Sequence, residues 1–347
     1  MSRSLRVTPW VTLAVAVILL IAATAASLFW GSRSIDPGTV ATVLGRLPGI
    51  LTGQDSGAGA GADMDTTVVL NRIPRTVTAV VVGAALAAAG AGMQGVSRNP
   101  LGDPGLLGLS SGAAAGVVLA LGWLGAHSSW QIALAALIGC TVAAGLVFGL
   151  SQIGGGAPTP IGLTLSGAAV NAGFVAVTSA VVLTNQAVLE RYRYWNVGSV
   201  SRTDTGDLAT AAPLVLIGVA LLLAGASGLN AMALGDELAH GLGVDLGVQR
   251  GLVFVGIVVL AGSATAIAGP IAFVGLLVPH AIRRVVGGDY RWLIVLSLLL
   301  GPALLLVADT LGRVVAPPQE IYVGITTVVL GVPVLLALLR RPRGVTL

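Results

Sequence analysis

The chain has 347 residues, of which 55% are hydrophobic and 9% are charged, and its formal net charge is +4. Soluble domains carry about 25% charged residues, so this chain has too little charge to cover a water-exposed surface and falls in the membrane class. The positive charge is scattered without a basic run, which argues against nucleic-acid binding. A lone cysteine, Cys140, excludes a disulfide framework.

The first predicted element is a membrane helix that is not cleaved. Arg3 and Arg6 precede an apolar run with small residues near Ala23, which is also the pattern of a signal peptide. The run from Val11 to Phe29 is longer than the roughly 7–15 residues of a signal-peptide core, and it is long enough to span the bilayer. We therefore expect it to remain as the first span.

Hydropathy predicts ten membrane-spanning helices in a single polytopic domain that covers residues 1–347. Three connections exceed a simple turn: 30–71, which is polar and predicted to be a long, flexible external loop, 185–207, and 229–250. The predicted spans are 11–29, 74–92, 105–124, 131–150, 161–183, 208–226, 251–268, 271–286, 292–309 and 321–339.

The distribution of arginine predicts the orientation of these spans in the cell membrane. An even number of spans puts both termini on one side, and the arginines near each terminus place that side in the cytoplasm. Eight arginines nevertheless fall on the predicted outer side, so either this topology is wrong or some of them serve a purpose there. These are Arg33, Arg46, Arg72, Arg75, Arg191, Arg193, Arg202 and Arg313.

Residues 229–250, LNAMALGDELAHGLGVDLGVQR, are polar and helix-forming, and they lie on the predicted cytoplasmic side. A loop between antiparallel helices needs only a few residues, so this segment is oversized. Asp236 and Glu237 suit the first turn of a helix, which Gly241 and Gly243 then interrupt. We predict two short helices outside the lipid. From these residues alone, a coupling element and an ordinary solvated helix–loop are equally favoured.

Four motifs together resemble the FecCD-type permeases, the membrane subunits of ABC importers for iron-siderophores, haem and vitamin B12. The resemblance covers almost all of the chain after residue 70 and implies an all-α integral membrane protein with the type II ABC importer permease architecture. It also implies that spans 2–5 and 7–10 are inverted pseudo-repeats. The motifs are RIPRTVTAVVVGAALAAAGAGMQGVSRNPLGDPGLLGLSSGA at 72–113, YWNVGS at 194–199, LNAMALGDELAHGLGV at 229–244, and the segment 269–339 with GPIAFVGLLVPHAIRRVVGGDYR and ADTLGR.

The resemblance implies that residues 229–250 are cytoplasmic coupling helices seated in a groove of a separate ATPase subunit. Two such subunits would bind ATP and Mg²⁺, since this chain has no P-loop motif, and we expect it to bind no cofactor and to be non-catalytic. The residues expected to couple to the ATPase are Leu234, Gly235, Asp236, Glu237, Ala239, Leu242 and Gly243.

The resemblance also implies an extracytoplasmic binding protein whose carboxylates dock on permease arginines. These map to Arg72 and Arg75 of RIPR and to Arg313 of ADTLGR. The planar guanidinium suits bidentate pairing with a carboxylate. Anchoring to lipid headgroups is the alternative, although it explains the RxxR spacing less well. Asp309, four residues before Arg313, predicts a local ion pair.

Two cytoplasmic gates follow from the resemblance, one at Asn99 and Leu101 and one at Thr159 and Pro160. The second gate lies in Ala157-Pro158-Thr159-Pro160, which has fewer hydroxyl residues than is usual in the family. In the fifth span, the polar residues Ser166 and Asn171 face either the translocation path, which this span lines with its dimer mate, or neighbouring helices through hydrogen bonds.

An importer permease is preferred over two other classes of membrane protein. An ion-coupled secondary transporter is the runner-up, but no charged residue is predicted deep in any span. An intramembrane enzyme would need a paired nucleophile and base, and the isolated histidines predict no metal site. The expected partners are a second permease copy (identical or paralogous), the ATPase subunits, the binding protein and lipid. Ferric siderophores are the expected cargo, with cobalamin and haem as alternatives.

Overall fold

The structure is a computed structural model that describes residues 8–51, 63–153, 159–201 and 205–340. Within these ranges every regular element is helical, including a 3₁₀ helix at Pro104–Leu107. The α-helices are α1 Pro9–Phe29, α2 Pro37–Leu51, α3 Met64–Val96, α4 Leu109–Trp123, α5 Ser129–Ser151, α6 Pro160–Thr184, α7 Gln186–Asn196, α8 Thr205–Met232, α9 Asp236–Gly241, α10 Leu246–Ala268, α11 Val274–Val286, α12 Tyr290–Val315 and α13 Val323–Arg340.

Seven of the described helices are long and apolar enough to cross a membrane: α1, α3, α5, α6, α8, α10 and α12. Two more, α4 and α13, are apolar but shorter, and α11 has 13 residues. Each of the ten predicted spans thus corresponds to a helix, but only seven are long enough by themselves. A short helix can begin inside the bundle when the irregular backbone before it is buried against protein instead of lipid.

Helix α3 is the centre of the bundle, with 78% of its most apolar stretch buried. It packs against α12, α10, α11 and α8. Small residues permit this close packing: Gly83 lies against the backbone of Gly301 and Pro302 in α12, and Gly90 lies against Gly275 in α11. A Cβ at either glycine would overlap the facing backbone, so the interhelical distance is set by the absence of side chains.

The segment 30–71 is more ordered than the predicted flexible loop. Helix α2 occupies Pro37–Leu51, and α3 begins at Met64, ten residues before the predicted span. Val40 and Val43 are three residues apart, so they share one face of α2, which packs in an apolar cluster separate from the main core. This local periodicity outweighs the polar composition around it. The glycine-rich residues 52–62 lie outside the described ranges.

The other two long connections also contain helices. Helix α7 fills much of 185–207, with the Asn185 side chain capping its first turn by accepting from the Val188 N–H at 3.2 Å. In 229–250, α8 continues to Met232 and α10 begins at Leu246, so α9 is the short helix between them. The predicted second short helix is instead the first turn of α10, which Asp245 caps.

Candidate functional site

Polar side chains gather at the two ends of the bundle. We call the end that contains Arg72, Arg75 and Arg313 the arginine end, and the opposite end, where α8 and α10 are joined, the α9 end. The first includes the start of α3 and the last turns of α12, and the second includes the end of α3 and the start of α12.

The structure brings the three predicted arginines together with two carboxylates, and we call this group the arginine cluster: Arg72, Arg75, Asp309, Arg313 and Glu320. Arg75 donates from Nε to both carboxylate oxygens of Asp309, at 3.1 and 3.0 Å, and from Nη2 at 2.8 Å. Its Nη1 donates to Glu320 at 2.6 Å. The predicted pair of Asp309 and Arg313 is confirmed, with Nε 3.2 Å from Oδ2, but Asp309 pairs more closely with Arg75.

Arg72 points inward and does not form an exposed pair with Arg75. Its Nη1 donates to the carbonyls of Leu28 and Phe29, at 2.7 and 3.2 Å, and its Nη2 donates to the carbonyl of Arg33 at 2.5 Å. The last carbonyls of a helix lack partners within it and carry partial negative charge. Arg72 therefore stabilises the C-terminus of α1, and its side chain is 6% exposed.

Arg313 has the same inward placement. Both of its terminal nitrogens donate to the Ser27 carbonyl at 3.0 Å, and Nη2 also donates to the Ser27 and Thr310 hydroxyls, at 3.0 and 3.2 Å. With 2% of the residue exposed, it offers no surface to a docking protein in this arrangement. Arg72 and Arg313 are therefore buried against α1, whereas the Arg75 side chain is 13% exposed and pairs with carboxylates.

At the α9 end, Asp236 links two elements that are distant in the sequence. Its Oδ1 accepts from Arg250 Nη2 at 2.8 Å, and it also accepts from Arg98, which follows α3. Arg98 has a φ of 51°, a left-handed backbone conformation that is uncommon for a residue with a side chain. Burial by itself would raise the pKa of the Asp236 carboxyl, but hydrogen bonds and charge from Arg250 and Arg98 outweigh it, so this pKa is lowered.

A stripe of exposed leucines runs along this end of the molecule. Leu234, Leu238 and Leu242 are 60%, 62% and 66% exposed, and they are spaced four residues apart. Ala239 faces the bundle and is fully buried. Gly235 and Gly243 bracket α9 with φ values of 109° and 78°, which favour glycine. Leu238 was not among the predicted coupling residues, although the four-residue spacing of leucines in a polar segment was a signal for it.

The first predicted gate lies directly beside this link. Asn99 follows Arg98, and its Oδ1 accepts from the Leu101 N–H at 2.9 Å, which forms a tight turn. Leu101 is 38% exposed at the tip of that turn. The loop contacts α11, since His280 Nδ1 is 3.3 Å from the Pro100 carbonyl oxygen. His280 of α11 therefore contacts the predicted gate loop.

The second predicted gate is described only in part. Thr159 caps α6 by accepting from the Gly162 N–H at 3.1 Å, and Pro160 is the first residue of that helix. Ala157 and Pro158 lie outside the described residues. Thr159 and Pro160 therefore belong to a helix start, a position that suits both residue types because proline at this point needs no N–H partner.

Helix α6 is the least covered of the seven long spans, with 17% of its most apolar stretch buried. Ser166 is half-buried, and Asn171 is exposed. The start of α4 packs nearby, because a side chain at Gly108 would contact the backbone at Asn171 and Gly167. Further along, Ser110, Thr178 and Tyr192 line a cleft of about 290 Å³ between α4, α6 and α7.

Asp103 was not among the site residues predicted from the sequence, because it lies in a connection and not in a predicted span. It caps the 3₁₀ helix by accepting from the Gly105 N–H at 2.8 Å, and it borders a small cavity with Leu86 of α3 and Thr265 of α10. Leu86 is near the middle of α3, so this carboxyl is inside the bundle. Asp103 lies outside every predicted span, and it reaches the bundle interior because the chain after α3 turns back inward.

Known proteins resemble this chain over almost its full length. The family model of the FecCD transport family matches residues 12–341. The ferric enterobactin transport system permease protein FepD of Escherichia coli is 39% identical over 342 residues, which is 98% of each chain. The hemin transport system permease protein HmuU of Yersinia pestis is 40% identical, over 78% of this chain and 82% of its own.

Two further comparisons extend this result. The cobalamin import system permease protein BtuC of Halobacterium salinarum is 42% identical, over 78% of this chain and 72% of its own. Among solved structures, an ABC transporter of the metal-chelate type in an inward-facing conformation superimposes with a TM-score of 0.80 at 26% identity. That superposition covers 96% of this chain and all of the other.

Proposed function

The chain belongs to the FecCD transport family, and from that membership we propose that it is the permease of an importer for ferric siderophores. It is a multi-pass membrane protein and a non-catalytic subunit of an ABC importer, in which a partner chain hydrolyses ATP. The observation that supports a ferric siderophore as cargo is the 39% identity, over 98% of both chains, with a ferric enterobactin permease. The cobalamin and hemin permeases match over a smaller share, 78%.

The α9 end, together with both termini, faces the cytoplasm and receives the two ATPase subunits that bind ATP and Mg²⁺. Three exposed leucines in a polar segment support this assignment, since an apolar patch rimmed by polar residues is typical of a protein interaction surface. The leucines would insert into the ATPase, while the buried Ala239 keeps α9 seated on the bundle. This chain itself binds no cofactor.

Movement of α9 would reach the gate through Asp236. The carboxylate is bound both to Arg250 in α10 and to Arg98, the residue immediately before Asn99 of the gate turn. A charge-assisted pair of hydrogen bonds is short and directional, so it transmits a displacement better than apolar contact does. The ATPase would thus pull on the first gate and on α10 through one side chain.

A second permease copy, identical or paralogous, would cover α6. A polar side chain in lipid is costly and usually faces protein or a water-filled cavity. Asn171 is exposed on α6, and Ser166 is half-buried on the same helix. Their placement supports a path for the cargo between two copies, with Thr159 and Pro160 at its cytoplasmic end.

The arginine end would face outward and meet the extracytoplasmic binding protein. Arg75 is the member of the arginine cluster with an exposed partner, because Glu320 is 35% exposed whereas Asp309 is 1% exposed. A positively charged surface suits carboxylates on the binding protein.

Uptake by the reconstituted transporter tests the cargo. Proteoliposomes that contain this permease with its ATPase and binding protein are supplied in turn with iron-labelled enterobactin, ferric citrate, hemin and cyanocobalamin. We expect ATP-dependent uptake of the ferric siderophore in preference to the other three. Preferred uptake of hemin or cyanocobalamin would reject the siderophore assignment while leaving the permease role intact.

The orientation is tested by labelling with a membrane-impermeant maleimide. A Leu242→Cys variant is expected to react only after the cells are permeabilised, whereas Glu190→Cys on α7, an exposed position at the other end, is expected to react in intact spheroplasts. The native Cys140 is buried and serves as the background. The opposite pattern would reverse the proposed orientation.

A further inference from the structure

Within the arginine cluster, the hydrogen bonds divide the guanidinium groups into two kinds. Arg72 and Arg313 donate to backbone carbonyls of α1 and its following turn, and both are buried. Among the described residues, the acceptors of Arg75 are instead all carboxylate oxygens, those of Asp309 and Glu320. The bonds of Arg72 and Arg313 hold the helices together and cannot be given up without loosening α1. The contacts of Arg75 are the ones that an external carboxylate could replace.

The two carboxylates bound to Arg75 are not equivalent. Asp309 is 1% exposed, contacts two nitrogens of the guanidinium and fixes its plane. Glu320 is 35% exposed and contacts a single nitrogen, Nη1, at 2.6 Å. It lies on the connection between α12 and α13, where Pro317, Pro318 and Gln319 are also exposed. Asp309 therefore orients Arg75, while Glu320 occupies its outward donor.

We propose that Glu320 is a built-in competitor for the docking site: it occupies Arg75 in the resting permease and is displaced by a carboxylate of the binding protein. This inference rests on the proposed docking function and narrows it to one arginine. The charge of the cluster supports this inference. Three arginines face two carboxylates, so displacement of Glu320 leaves a net positive charge behind the docking site, which favours an acidic partner.

Competition requires that the pair between Arg75 and Glu320 be weak enough for an external carboxylate to displace Glu320. An ion pair with a solvent-exposed partner contributes little, because water and salt screen it and the long side chain loses freedom when it binds. Removal of the Glu320 charge should therefore tighten docking by about two- to fivefold. It should also increase the association rate, most clearly at low salt, since one repelling charge is removed from the approach of an acidic protein.

The test measures the affinity of the soluble binding protein for the complete transporter in lipid nanodiscs, by biolayer interferometry. Glu320→Gln is compared with Glu190→Gln, which removes an exposed carboxylate from the same end of the molecule, away from Arg75. We expect a lower Kd for Glu320→Gln and less than a twofold change for Glu190→Gln. An equal gain in both variants would show general electrostatics and overturn the proposal.

A second pair of variants separates this inference from the docking function itself. Arg75→Gln should weaken docking, and the double variant Arg75→Gln/Glu320→Gln should show none of the gain that Glu320→Gln gives alone. If Arg75→Gln weakens docking and Glu320→Gln leaves the Kd unchanged, the competitor role is refuted and docking at Arg75 stands. If Arg75→Gln leaves the Kd unchanged, docking at this cluster is refuted as well.

Discussion

Replacement of Asp236 by Asn should uncouple ATP hydrolysis from transport. The substitution keeps the shape of the side chain and removes its charge, so the bonds to Arg98 and Arg250 lose their ionic part. A hydrogen bond to a charged group contributes about 1.5–3 kcal/mol when buried. Asp236 is 44% exposed, while Arg250 is 5% exposed. Solvent weakens the bonds of the half-exposed carboxylate, so we expect the two bonds together to lose about 2 kcal/mol. This loss corresponds to roughly a 30-fold shift in the equilibrium between a packed and a loosened α9.

The assay is the ratio of ATP hydrolysed to cargo imported in proteoliposomes. We expect this ratio to rise severalfold in Asp236→Asn, with the ATPase subunits still bound through the exposed leucines. Glu190→Gln is the control, because it removes an exposed carboxylate from α7, at the opposite end of the molecule. If Asp236→Asn keeps the wild-type ratio, or if Glu190→Gln raises it equally, then Asp236 does not link α9 to the gate.

Three further predictions address packing, the leucine stripe and pH. Gly90→Ala should lower the Tm of the purified transporter by several degrees, because the new Cβ would overlap the backbone of Gly275. Gly145→Ala should leave the Tm unchanged, because its Cβ would meet nothing within 4 Å. Equal Tm values for the two variants would reject the close contact. Leu238→Asp should reduce co-purification of the ATPase by more than tenfold, and unchanged recovery would exclude the stripe from that interface. Because the pKa of Asp236 is lowered, its ion pairs are fully present above the ordinary carboxyl pKa of about 4 and are lost as the pH falls below that value. Coupling that depends on Asp236 should therefore be constant from about pH 5 to 8. A titration of coupling within that range would contradict this assignment.

Local patterns in the sequence were sufficient to locate most helices. The long spans follow from uninterrupted apolar runs. The pair between Asp309 and Arg313 also needed only helical spacing. Average composition was not sufficient to predict helix α2. The overall polarity of its segment predicted a loop, but Val40 and Val43 bury one face of a helix there.

The partners of the charged residues were decided by tertiary structure. Arg75 pairs with Asp309, 234 residues away, and Arg98 with Asp236, 138 residues away, and no local period relates such positions. Arg72 and Arg75 are one turn apart on α3, yet one binds the end of α1 and the other binds carboxylates. A short motif specifies that two cations lie about one turn apart on a helix. Which acceptor each cation reaches depends on the neighbouring helix ends that packing brings within hydrogen-bond distance.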